Sequence, residues 1–232
     1  MADPLHDHAL VIMAKAPRAG RVKTRLEPVV PADALVALYR CMIEDTVALA
    51  RVAGVARIAV MCPRGDGGDV ARWLDIEVVE QEGDGLAAGL DSVFRLFVGD
   101  GCPHVIAFNG DTPHLPPDTL AGAFRLLARH DLVVGPTEDG GYYLVGASAK
   151  HPGLFDPAAL GTGSARDALL ENARALGLSV ALTEPFYDVD LPEDLRRLAA
   201  ELRLDPGRAP RTAALLASWT SGPHPGDDGP GG

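Results

Sequence analysis

The stretch that decides the fold is His8–Leu26, HALVIMAKAPRAGRVKTRL, in which an apolar run passes directly into a basic loop. The run His8–Ala14 (HALVIMA) is typical of a strand that is buried on both faces of a parallel sheet. The loop Lys15–Leu26 then concentrates five cations in a chain whose formal net charge is −11. Because ligands of open α/β sheets bind beyond the carboxyl ends of the strands, this loop is the first candidate for a binding site.

Short apolar runs alternate with longer amphipathic segments, which predicts one α/β domain with helices on both faces of a mostly parallel, twisted sheet of about seven strands. The predicted strands are His8–Ala14, Arg57–Cys62, Ile76–Gln81, His104–Phe108, Asp131–Val134, Gly141–Gly146 and Ser179–Val189. The predicted helices are Pro31–Arg51, Asp84–Phe97, a segment that begins near Pro116, Ser164–Gly177 and Pro192–Leu202. We expect the domain to cover residues 1–218. The glycine- and proline-rich tail 219–232 is expected to be disordered, since it has little apolar surface to bury.

The composition favours small-molecule partners. A net charge of −11 would repel a nucleic-acid backbone, so no nucleic-acid partner is expected. No apolar stretch approaches the roughly 20 residues that a membrane span needs, and the first residues lack the pattern of a signal peptide. The scattered cysteines Cys41, Cys62 and Cys102 are expected to be reduced thiols. We therefore expect a cytoplasmic protein with no membrane partner.

The basic loop has the residues of a phosphate site. Gly20 can adopt backbone angles that bring main-chain N–H groups close to a phosphate, and Lys15, Lys23 and Arg25 could neutralise a diphosphate or triphosphate. The alternative is a solvated basic loop, which its position after a buried strand makes less favoured. The GxxxxGK[ST] spacing of a Walker A loop is absent.

A second motif, Asn109–Leu115 (NGDTPHL), follows the fourth predicted strand. The carboxylate of Asp111 is well placed there for a divalent ion such as Mg²⁺, although an aspartate at this point could also cap the next helix. We expect His114 to pack or to form hydrogen bonds, because no second histidine or cysteine lies at metal-ligand spacing.

A third motif is Pro136–Leu144 (PTEDGGYYL), where two glycines stand between an acid and an aromatic strand. Asp139 could bind a sugar hydroxyl or another ligand atom, and Tyr142 or Tyr143 could stack on a substrate. One of the two tyrosines must point into the core, because side chains alternate along a strand. A plain hairpin turn explains the motif equally well.

The fourth motif is Asp188–Leu195 (DVDLPEDL). A period of two places Asp188 and Asp190 on the same face of a strand end, where they could complete a metal site with Asp111. Asp190 could instead cap the helix that follows.

Together and in this order, the four motifs resemble those of the nucleotide-diphospho-sugar transferase superfamily, over roughly residues 9–204. The chain is most similar to the rSAM/selenodomain-associated transferases, which are loosely called glycosyltransferases. The resemblance rests on K-x-P-x-x-G-x-V-K-T-R-L, GDTPHL, DGGYYLVG and DVDLPEDL. The chain also looks like the guanylyltransferases of the deazaflavin-cofactor pathway and the sugar cytidylyltransferases.

The resemblance implies a single-domain, Rossmann-like GT-A fold and a metal, Mg²⁺ or Mn²⁺, held by Asp111 and Asp190. It implies that Lys23 acts with these two acids in catalysis. The nucleotide or its phosphates are expected to contact Lys15, Gly20, Lys23, Thr24, Arg25, Gln81 and Gly110. The second substrate is expected to contact Asp139, Gly140, Gly141 and Tyr142.

Two segments depart from the family pattern. A Gly-Glu-Arg-like run is expected after the third strand, but residues 81–89 read QEGDGLAAG. A Trp-Ser-Thr segment is expected before the late helix, but residues 160–164 read LGTGS. Both segments are expected to face the second substrate, so the acceptor is predicted to be atypical.

The leading hypothesis is a metal-dependent nucleotidyltransferase that joins an NTP to a phosphorylated small molecule and releases pyrophosphate. The alternative is a glycosyltransferase that uses a nucleotide-sugar and a small-molecule acceptor. A third hypothesis is a non-catalytic nucleotide-binding module, which predicts binding without turnover. A homodimer is compatible with each of them.

Overall fold

The computed structural model describes residues 7–156 and 164–221, and its centre is a seven-stranded sheet. The strands are β1 (Ala9–Met13), β2 (Arg57–Cys62), β3 (Glu77–Glu80), β4 (Val105–Asn109), β5 (Leu132–Pro136), β6 (Tyr142–Ala147) and β7 (Val180–Leu182). Their order is β3-β2-β1-β4-β6-β5-β7. Only β6 runs antiparallel to its neighbours, β4 and β5. The prediction of a mostly parallel sheet of about seven strands is therefore confirmed.

Helices cover both faces of this sheet. They are α1 (Ala32–Val52), α2 (Gly67–Trp73), α3 (Gly85–Gly99), α4 (Pro117–Leu127), α5 (Ala165–Ala175), α6 (Pro192–Leu204) and α7 (Pro210–Ser221). Leu10 and Ile12 of β1 pack towards α1 and α4, whereas Ala9 and Val11 pack towards α3. This alternation follows from the two-residue period of a strand and explains why β1 is apolar at every position.

A third layer lies outside α1. Leu38 and Met42 of α1 pack against Leu198 and Leu202 of α6, and Leu216 of α7 joins the same cluster. Because α6 and α7 are seated on α1, the segment that leads into α6 must cross the end of the sheet beside β4.

The last predicted strand, Ser179–Val189, is wrong in its length, since β7 ends at Leu182. Pro185 has no N–H to donate to a ladder, and the chain leaves the sheet there. Phe186 keeps one isolated bridge to Thr137, and the N–H of Val189 donates to the carbonyl oxygen of Asp111 at 3.1 Å. This departure brings the fourth motif next to the second.

Two helices were not predicted. α2 is a short helix that begins with two glycines, which are poor helix formers. α7 continues to Ser221, past the expected domain boundary at residue 218, and the rest of the predicted tail, 222–232, lies outside the described residues. Residues 160–163 of the segment expected to face the acceptor also lie outside them. Within the described parts of the chain, no helix is long and apolar enough to cross a bilayer.

Candidate active site

A cleft of about 670 Å³ opens where β1, β2 and β4 end and β6 begins. This is the edge at which parallel α/β sheets bind their ligands. Most of the predicted site residues line it: Lys15, Lys23, Thr24, Arg25, Gln81, Asp111, Asp139, Gly141, Tyr142 and Asp190. The structure therefore brings residues of the four motifs together in one cleft.

Two of the predicted glycines have a structural explanation. Gly20 has a φ of +68°, so the turn between Lys15 and Arg21 uses the left-handed region that glycine adopts without strain. A Cβ at the buried Gly110 would lie 2.0 Å from Cδ1 of Ile43. Only glycine lets the turn after β4 pack this closely against α1.

The most closely paired cation of the cleft is Lys23, whose side chain is only 3% exposed. Its ammonium group contacts Oδ1 of Asp111, lies 3.2 Å from Oδ1 of Asp190, and donates to the carbonyl oxygen of Val189 at 2.7 Å. Burial by itself would lower the pKa of Lys23, but the charges of Asp111 and Asp190 outweigh it and the pKa is raised. Lys23 is thus a buried cation that joins the basic loop to both predicted metal acids.

Lys23 also has an unusual backbone. In residues 7–156 and 164–221 it is the one residue other than glycine in the left-handed region, with a φ of 51°. Such a conformation costs about 1 kcal/mol or more for an L-residue and persists where the surroundings enforce it. Here the three ammonium contacts supply that constraint.

Neither predicted metal acid caps a helix, which was the alternative left open for both. The residue that precedes α4 is Pro116, so Asp111 lies too early in the chain to cap this helix. At the start of α6 the capping carboxylate belongs to Asp194, which accepts the N–H groups of Asp190 and Leu191 at 3.1 and 2.7 Å. The carboxylates of Asp111 and Asp190 are left to face Lys23 and the cleft.

These two carboxylates fit a divalent ion. They converge on one point, marked by the ammonium nitrogen of Lys23, and Mg²⁺ in enzymes is commonly held by one or two carboxylates with phosphate oxygens and water completing its shell. Among the described residues, no group of three or more acid, histidine or cysteine side chains forms a ready metal cluster. Asp111 and Asp190 are thus the residues that could hold such an ion if phosphate oxygens of a nucleotide supplied further ligands.

Two further acids line the same end of the cleft. Asp139 accepts hydrogen bonds from the hydroxyl of Thr137 at 2.5 Å and from the N–H of Gly141 at 3.0 Å, and these bonds lower its pKa. Burial, with the neighbouring charge of Asp190, raises the pKa of Asp188 to about 6. The turn that carries Asp139 joins the antiparallel strands β5 and β6, so the hairpin interpretation of the third motif is confirmed, while substrate contact by Asp139 stays a prediction.

The side chains of Tyr142 and Gln81, two predicted contact residues, have different roles in the cleft wall. Tyr142 lines the cleft while Tyr143 is 1% exposed and pairs with the hydroxyl of Thr183 at 2.6 Å, as the alternation predicts. The amide nitrogen of Gln81 donates to the carbonyl oxygens of Gly83 and Gly85, both at 3.0 Å. Gln81 therefore shapes the loop before α3 from the wall of the cleft.

Sequence reasoning missed two residues of this region, Tyr39 and Asp66. Tyr39 lines the floor of the cleft from α1, and Asp66 lies behind the basic loop at the start of α2. Neither belongs to a motif, and each meets the loop only through the folding of distant segments. A carboxylate in the turn after the second strand was the one available signal for Asp66.

Comparison with known proteins identifies the family of the chain and a curated relative. Residues 46–162, half of the chain, match the model of the family described as "Uncharacterized protein conserved in bacteria (DUF2064)". The phosphoenolpyruvate guanylyltransferase of Rubrobacter xylanophilus is 29% identical over 181 residues, which cover 77% of this chain and 87% of that protein.

Solved structures extend the comparison. A crystal structure from Desulfovibrio desulfuricans G20, classed with the nucleotide-diphospho-sugar transferases, is 28% identical, with a TM-score of 0.83 over 92% of this chain and 95% of that one. The 4-diphosphocytidyl-2C-methyl-D-erythritol synthase of Anaerococcus prevotii shares the fold, with 14% identity and a TM-score of 0.57 over 84% of this chain and 95% of that one.

The fold is that of a transferase of the nucleotide-diphospho-sugar transferase superfamily, which confirms the resemblance and the similarity to guanylyltransferases. The chain belongs to the bacterial family whose model it matches, DUF2064. The relative from Rubrobacter xylanophilus supports a nucleotidyltransferase.

Proposed function

We propose that this protein transfers a nucleotidyl group from an NTP to a phosphorylated small molecule and releases pyrophosphate. The observation that carries the proposal is the division of charge in the cleft. Lys15, Arg21 and Arg25 come from one loop after β1, while Asp111 follows β4 and Asp190 precedes α6, where its Oδ2 lies 3.5 Å from Nη1 of Arg25. A triphosphate needs such a set of cations, and the acids suit the metal that accompanies it.

In the proposed reaction, a phosphate oxygen of the acceptor attacks the α-phosphorus of the NTP. The bond from that phosphorus to the oxygen of the β-phosphate breaks, and the electron pair leaves with pyrophosphate. Asp111 and Asp190 would hold Mg²⁺ or Mn²⁺, which when bound would neutralise charge on the phosphate oxygens. The chain itself contributes mainly the positions of its cations and acids.

The relative from Rubrobacter xylanophilus suggests the first substrates to test, because its name specifies guanylyl transfer to phosphoenolpyruvate. The four NTPs would each be incubated with phosphoenolpyruvate and a panel of sugar phosphates, with Mg²⁺ or with EDTA. We expect pyrophosphate release with one NTP and one acceptor class, loss of release in EDTA, and a nucleotidyl–acceptor product by mass spectrometry.

Asp111→Asn should reduce the rate by at least about 100-fold, since it removes a carboxylate from the metal pair. Asp118→Asn, in the first turn of α4, is the matched control and should retain the wild-type rate. Turnover of a nucleotide-sugar to NDP without pyrophosphate release would refute the proposal and establish glycosyl transfer. That second candidate is supported by the relative classed with the nucleotide-diphospho-sugar transferases.

A further inference from the structure

The first part of the basic loop is held from behind by two side chains. The N–H of Lys15 donates to the hydroxyl oxygen of Tyr39 at 2.8 Å, and the N–H of Ala16 donates to Oδ2 of Asp66 at 2.8 Å. These consecutive N–H groups would otherwise be candidates for phosphate binding. Because protein acceptors already satisfy them, they anchor the loop.

The second oxygen of Asp66 anchors the loop at another point. Its Oδ1 accepts a hydrogen bond from Nη1 of Arg18 at 2.8 Å, and Arg18 also contacts Asp69. The guanidinium of Arg18 is thereby turned towards α2, while Lys15 and Arg21 line the cleft. The carbonyl of Arg18 accepts the N–H of Arg21 at 3.1 Å, so the anchored residue begins the turn that presents Arg21.

The carboxylate of Asp66 can bond to the basic loop because it does not cap the helix that follows it. It is the residue that precedes α2, a position at which aspartate commonly caps, but its side chain makes no capping hydrogen bond. Glu80 at the end of β3 accepts the N–H groups of Gly65 and Gly67 instead, at 3.0 and 2.8 Å. The start of α2 is thus tied to the sheet, and the buried carboxylate of Asp66 is directed at the loop.

We propose that Asp66 is a positioning residue for nucleotide binding, which holds the loop so that Lys15 and Arg21 face the phosphates. The inference takes from the proposed function that a nucleotide binds in the cleft, and it does not require nucleotidyl transfer itself. A loop released from Asp66 must be ordered again at each binding event, and that cost weakens affinity. The acceptor substrate would lie at the acidic end, away from the anchor, and its binding should change little.

The test compares Asp66→Ala, Asp66→Asn and the matched control Asp69→Ala. Calorimetry would give the Kd of the α,β-methylene analogues of the four NTPs, and thermal unfolding would show that each variant is folded. We expect Asp66→Ala to weaken the analogue by about tenfold or more, since two charge-assisted hydrogen bonds are lost. Asp66→Asn should weaken the analogue less than Asp66→Ala does, because its amide oxygen can still accept the N–H of Ala16.

Asp69→Ala should stay within about threefold of the wild type, because Asp69 bonds to the side chains of the half-exposed Arg18 and the exposed Arg72 and not to the main chain of the loop. A merely structural role would lower the Tm of Asp66→Ala without changing the Kd of the folded protein, and would overturn the inference. So would equal weakening by Asp69→Ala. If Asp66→Ala does not fold, a several-fold weakening by Asp66→Asn supports the inference and an unchanged Kd overturns it.

The same measurements separate this inference from the proposed function. Analogue binding that depends on Asp66, with no pyrophosphate released for any acceptor, would refute nucleotidyl transfer and leave Asp66 as the positioning residue. A wild-type protein that binds none of the analogues would refute both.

Discussion

At the scale of single residues, Lys23 connects local strain, charge and function. Its left-handed backbone, its burial and its contacts with Asp111 and Asp190 belong to one arrangement. An ammonium at this point neutralises part of the charge that a metal would neutralise. In the proposed function, Lys23 and a divalent ion would share the same pair of acids.

This sharing predicts the behaviour of Lys23→Met. Without divalent ions, the variant should lose about 2 kcal/mol of unfolding free energy, because two neighbouring carboxylates lose their buried partner while remaining about one-third exposed. Mn²⁺ should then raise the Tm of Lys23→Met more than that of the wild type, as measured by scanning fluorimetry. Lys15→Met is the control, and an equal Mn²⁺ effect in all three proteins would contradict the prediction.

A second residue, His114, lies behind the site and is fully buried against Phe186 and Tyr187. Among the residues that the structure describes, neither ring nitrogen has a hydrogen-bond partner, and Oε2 of Glu201 is too far from Nε2 at 3.9 Å. Burial, with the charges of Arg208 and Arg197, lowers the pKa of His114 to about 3. The sequence-based expectation that His114 packs is confirmed, and its ring stays neutral at physiological pH.

The lowered pKa of His114 predicts an acid-sensitive stability. The unfolded chain takes up a proton near pH 6.5, whereas the folded chain resists it until about pH 3. The full contribution is therefore present above pH 6.5, and it declines by up to about 1.4 kcal/mol per pH unit below that. His114→Phe should show a shallower decline between pH 6.5 and 4.5 in urea titrations. Parallel profiles for the two proteins would exclude this role.

At the scale of elements, α7 depends on a cap from a distant part of the chain. The carboxylate of Asp45 in α1 is 1% exposed and accepts the N–H and the hydroxyl of Thr212, both at 2.8 Å. It also accepts the N–H of Arg211 at 3.2 Å. The first N–H groups of α7 have no partner within the helix, so Asp45 supplies what the local sequence lacks.

Asp45→Ala should therefore lower the unfolding free energy by about 2–3 kcal/mol, because buried N–H groups lose a charged acceptor. Urea denaturation would measure the loss. Glu44→Gln is the control, since its amide oxygen can still accept the indole N–H of Trp73 and the half-exposed pair with Arg211 should contribute less than about 1 kcal/mol. A loss of equal size in the control would show that Asp45 has no special role.

At the scale of the whole molecule, the sequence predicted features that depend on neighbouring residues and missed features that depend on contacts between distant residues. The strands and most helices were predicted to within a few residues, because burial on one face or two leaves a period in the local sequence. The basic loop and the acidic motifs could also be recognised from the sequence, and the structure shows that they line one cleft. The exceptions were β7, which Pro185 ends early, and α2 and α7, whose stability comes from contacts with Glu80 and Asp45.

The sequence by itself determined the fold class and the chemical character of the site, since hydrophobic period and charge are properties of neighbouring residues. Tertiary structure alone decided that Lys23 meets Asp190 across 167 positions of the chain. It also decided that Asp66, rather than a motif residue, anchors the basic loop. Such pairs leave no local pattern, because their free energy depends on burial and charge that exist only after the separate elements have packed together.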